Sequence, residues 1–104
     1  MKAIKVMPDY GCHPLWHHGN TEVGDINPSI LPISPSLIAR LEKWAAEYDA
    51  TLNHDYPPDS SFTSKEEKER FVARGFELAK LLKTELNNIA VIYYDIDQNR
   101  EHSI

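Results

Sequence analysis

Three observations predict an α/β (α+β) fold: a small sheet with strands from both ends of the chain and two helices packed on one face. β-forming stretches stand near the two ends, at Ala3 to Met7 and at Ile89 to Ile96. Between them, two segments repeat apolar residues every three or four positions. Sequence rich in Pro, Gly and Asn separates these blocks. The 104 residues, 11.9 kDa, suit one domain over 1–104, with apolar material for a single core.

Taken in order, Ala3 to Met7 (AIKVM) sets apolar Ile4 against polar Lys5 and reads as a strand ended by Pro8. Tyr10 to Pro35 carries Pro14, Pro28, Pro32 and Pro35 with Gly11, Gly19 and Gly24, a loop-rich region. A structureless connection of that length is unusual in a compact domain, so Leu15 to His18 is expected as a short second strand. The first helix has an N-cap in Ser34 and Pro35 at its first position, where the missing N–H is harmless. Leu37, Ile38, Leu41, Trp44, Ala45 and Tyr48 form its core stripe, and the helix should end near Ala50. Asn53 to Ser61 (NHDYPPDSS) is a loop.

A capping box, Thr63 or Ser64 with Glu66 or Glu67, opens the second helix, which runs to about Leu86 and buries Phe71, Gly75, Leu78, Leu82 and Leu86. Asn87 and Asn88 stop it. The apolar run Ile89 to Ile96 (IAVIYYDI) suits a central strand, and Asp97 to Ile104 is expected to fray.

Charge narrows the function. Sixteen carboxylates against 11 Lys and Arg leave −5, with a pI near 5.4. A nucleic-acid binder needs a basic face to displace counterions, so no direct nucleic-acid partner is expected. No apolar run is long enough for a spanning helix or a secretory leader, which points to the cytoplasm and to no membrane partner. The lone Cys12 agrees with a reducing compartment. The acids are also clustered: Val6 to Ala39 holds Asp9, Glu22 and Asp25, and Trp44 to Ser64 holds Glu47, Asp49, Asp55 and Asp59, with no Lys or Arg in either window.

The run GCHPLWHHGN concentrates Cys12, His13, His17 and His18. Thiolate and imidazole are zinc ligands, but a structural site needs a second pair, and only His54 and Asp55 stand apart, without a pairing spacing. A nucleophilic Cys12 would need His17 or His18 to fold back across Pro14 as its base. General acid–base work on a phosphate ester would need a nearby cation, which these windows lack. The acidic windows do not match a calcium-loop spacing. No catalytic residue, metal ligand or cofactor is therefore assigned. The plain alternative has Cys12 and Trp16 packed inward and the histidines in a polar loop. A small enzyme or metal-binding protein built on the Cys12, His13, His17 and His18 cluster is the competing reading.

The runs AIKVMPDYGCHPLW, GDINPSILPIS and LEKWAAEYDATLNHDYPPDSSF, over residues 3 to 62, resemble small bacterial immunity proteins of contact-dependent growth inhibition and related polymorphic-toxin loci. The resemblance implies a cytosolic protein, not an enzyme, that neutralises one cognate toxin domain, typically by covering the active site of a nuclease. It carries over no site residues.

Both lines lead to a partner-binding surface. Tyr and Trp are frequent interface anchors, and clustered acids speed encounter with a cationic partner. The expected set is Asp9, Tyr10, Trp16, Glu22, Asp25, Glu47, Asp49, Asp55, Tyr56 and Asp59. The first helix separates the two acidic windows. They can share one surface only if the N-terminal loop reaches back along that helix toward its C-terminal end.

Overall fold

The computed structural model describes residues 3–19, 21–57 and 60–104. In chain order they form β1 (Ala3–Val6), β2 (Leu15–His18), β3 (Asp25–Ile26), a 3-10 turn at Pro28–Ile30, α1 (Pro35–Asp49), α2 (Lys65–Glu85), β4 (Ala90–Asp95) and β5 (Arg100–Ser103). The strands make one sheet in the order β3-β2-β1-β4-β5. β1 and β4 run parallel, and every other pairing is antiparallel. A parallel pair cannot be closed by a tight turn, and the crossover it needs carries both helices.

Register assigns each strand residue to a face. Ile4 lies beside His17 and Val91, and Val6 beside Leu15 and Tyr93. Apart from His17, these side chains are buried in the core with Leu37, Leu41 and Trp44 of α1 and Phe71, Leu78 and Leu82 of α2. One residue along, Lys5 lies beside Trp16 and Ile92 on the opposite face, where no helix packs among the described residues.

Both helices begin as their sequences dictate. The Ser34 hydroxyl accepts from Leu37 N at 3.2 Å, and Ser64 accepts from Glu67 N at 3.1 Å, each satisfying an orphan donor of the first turn. Ser34 also donates its N–H and hydroxyl to Glu85 at 2.6 and 2.9 Å, tying the start of α1 to the end of α2. Between those ends the Trp44 and Phe71 rings stack at 4.6 Å and 8°. Gly75 makes room for this: a Cβ there would overlap both the Tyr93 hydroxyl and the Trp44 ring.

The C-terminal residues do not fray. Asp95 is buried and accepts from Asp97 N at 2.8 Å and Gln98 N at 3.1 Å, Asn99 takes a left-handed φ of 53°, and the chain returns as β5 along β4. Ile104 closes the pairing through its N–H to the Val91 carbonyl at 2.9 Å. β5 was missed because an edge strand with the sequence REHS has no apolar face to betray it. β3, two residues long, is too short to show a period.

Candidate functional site

The loop after β1 does reach back along α1. Tyr10 stacks on Tyr48 with centroids 4.5 Å apart, and its hydroxyl meets Thr51 Oγ1 at 2.9 Å, just past the helix. Gly11, at φ +70°, donates its N–H to Asp49 at 3.1 Å. His13 N donates to Asp25 at 2.7 Å, and His13 Nδ1 meets Glu42 at 3.0 Å. The result is a cleft of about 540 Å³ in which Asp25 from the first acidic window and Asp49 from the second stand with Glu42, Cys12 and His13. Its floor is Ala45 and Ala46, small enough to let the loop lie against the helix.

Glu42 had not been expected. It stands seven residues before Asp49 with Ala45 and Ala46 between, so the four share one helix face, a spacing legible in the sequence. With Lys43 as its neighbour, Glu42 falls outside both windows free of Lys and Arg.

Most of the other expected residues have internal work. Asp9 accepts from Tyr10 N at 2.8 Å, Glu47 pairs with Arg74, and Glu22 stands 3.4 Å from His17 Nε2. Trp16 donates Nε1–H to the Met7 carbonyl at 2.9 Å and lies on the open face of the sheet beside Asp25. The plain alternative, in which Trp16 packs inward, is thereby corrected. Leu15 takes the inward place, and the two-residue period of a strand sends Trp16 to the other side. Asp55 and Tyr56 lie in the loop beyond α1, outside the cleft lining. Both are exposed, Tyr56 to 63%, and among the described residues their side chains make no hydrogen bond. Asp59 lies outside the described residues.

The Cys–His cluster disperses in the same way. Cys12 and His13 line the cleft, while His17 and His18 alternate to opposite faces of β2, His18 reaching Glu101 at 3.4 Å. Burial pushes the Cys12 thiol up, and Asp9, Asp25 and Asp49 push it further, which disfavours the thiolate that nucleophile and metal chemistry need. Its Sγ lies 3.5 Å from the Tyr10 carbonyl. Among the described residues no three His, Cys, Asp or Glu side chains converge on a point able to hold a metal ion. What the arrangement offers is an acidic concavity, with an exposed acid and tyrosine in the loop beyond α1.

Nor is any helix among the described residues long and apolar enough to cross a membrane. One family sequence model, described as Serratia CdiI immunity protein-like, matches residues 2–96. No curated protein matches the chain.

Proposed function

The chain belongs to the Serratia CdiI immunity protein-like family, and on that premise we propose that it binds and neutralises one cognate toxin domain in the cytoplasm without chemistry of its own. The toxin is a basic nuclease domain, and the immunity protein competes with the phosphate backbone for its cationic surface. The observation that carries this reading is the cleft joining the two acidic windows, with Asp25, Glu42 and Asp49 around it. The raised thiol of Cys12 and the dispersal of the histidines argue against the enzyme alternative.

Asp55 and Tyr56 probe the surface cleanly because their side chains make no hydrogen bond among the described residues. Surface plasmon resonance uses as its probe the basic C-terminal domain of a large secreted effector, whose gene this reading expects immediately upstream, at two salt concentrations. Wild-type association should fall with salt, since exposed charges are screened within about 8 Å at physiological ionic strength. Asp55→Asn should slow association. Tyr56→Ala and Trp16→Ala should instead speed dissociation. Association indifferent to both salt and Asp55 would sink the acidic-surface reading.

A further inference from the structure

We propose that the toxin domain also covers the open face of the sheet, with Trp16, Ile92 and Tyr94 as its apolar contacts. This rests on the chain being an immunity protein and specifies the surface it uses.

The first argument comes from β4. Val91 and Tyr93 point into the helix-covered core, while Ile92 and Tyr94 point the other way and are only half-buried. β4 pairs parallel with β1 and antiparallel with β5, and its apolar residues on both sides depart from the apolar-in, polar-out alternation of a sheet with one solvated face. Among the described residues only one covering layer is present.

The second argument is charge. Lys5, the cation at the centre of this face, is held 3.7 Å from Glu101 and 5.9 Å from the centroid of the Tyr94 ring. Asp25 stands directly beside Trp16, and Glu101 beside Tyr94. The face thus sets aromatic and aliphatic groups around a lysine that is already paired, with carboxylates at its border, which fits a basic domain. A second copy of this chain would bring the same carboxylates against one another.

The third argument is continuity. Asp25 borders this face and also lines the acidic cleft, so a partner engaging the cleft continues over Trp16 onto the sheet.

The test measures affinity of Ile92→Lys and Ser103→Arg for the same effector C-terminal domain. Ser103 is exposed on the edge strand and sits beside Ile92, so its replacement adds a cation to the face with little demand on the fold. Urea midpoints establish that each variant is folded. Ile92→Lys should weaken binding by about 30-fold or more, as a central interface residue does, and Ser103→Arg by about 3- to 10-fold. If wild type binds and both folded variants bind equally well, the placement is wrong while the immunity reading stands. Should Ile92→Lys not fold, Ser103→Arg decides alone. Failure of wild type to bind overturns the reading and the placement together. A wild-type dimer in sedimentation that Ser103→Arg dissociates, with toxin binding unchanged, assigns the face to a second copy and overturns the placement.

Discussion

The helix-covered and open faces of the sheet are built by the same strands, one residue out of step. Ile4, Val6, Val91 and Tyr93 face the helices and are buried to 1% exposure or less. Lys5, Trp16, Ile92 and Tyr94 face the other way and stay half-buried, shielded by one another and by Glu101 and His18. The apolar content of β4 hardly differs between the two sides. What differs is whether a second layer, among the described residues, exists to complete the burial.

The sharpest way to test the division is to truncate one residue on each side. Phe71→Ala removes a fully buried ring that stacks on Trp44 and Tyr48 and packs at a tilt against Phe62, and should cost about 3–5 kcal/mol in urea denaturation. Ile92→Ala on the open face should cost about 1 kcal/mol. Equal losses would mean that the open face is as much a part of the core as the other.

Adding a group tests the covered side from the opposite direction. Gly75→Ala places a methyl against Tyr93 and Trp44, and overpacking of this kind should cost about 1–3 kcal/mol. A neutral or stabilising result, as helix propensity alone would give, would show that the helix contact is looser than described.

Alkali should also act through the covered side. Burial, together with the adjoining Tyr10, pushes the Tyr48 hydroxyl from its ordinary 10.0 up to about 12, and burial beside Asp95 pushes Tyr93 up as well. The folded state therefore holds these protons after the unfolded chain has released them. Their contribution is complete below about pH 10 and is lost progressively from there through pH 12. The urea midpoint should fall across that interval, and less steeply in Tyr48→Phe. A midpoint independent of pH to 12 would contradict the burial of these rings.

The smallest effect is expected at the cleft. At pH 8, Cys12 should react with iodoacetamide more slowly than an unhindered thiol, and Asp25→Asn should modestly speed the reaction by removing one of the charges that holds the thiol protonated. Reaction at the free-thiol rate would mean that the loop does not rest against α1.

Whatever depended on short-range period or on chain termini could be read from the residues. Ser34 with Pro35 and Ser64 with Glu67 mark both helix starts, and the apolar stripes alone identify Leu37, Leu41, Phe71 and Leu82 as core. The acidic windows were visible as composition. Which of their members meet was not, because Asp25 and Asp49 approach one another only through hydrogen bonds from His13 and Gly11 that span 12 and 38 residues.

By itself, then, the sequence determined the fold class, the helices, the two central strands and an acidic character suited to a basic partner, since each follows from local pattern and net charge. Only the tertiary structure decided that the tail returns as β5, that Tyr10 is engaged by Tyr48, that Glu42 joins the cleft and that Trp16 faces outward. Those outcomes are set by contacts between residues far apart in the chain, and no local period encodes them.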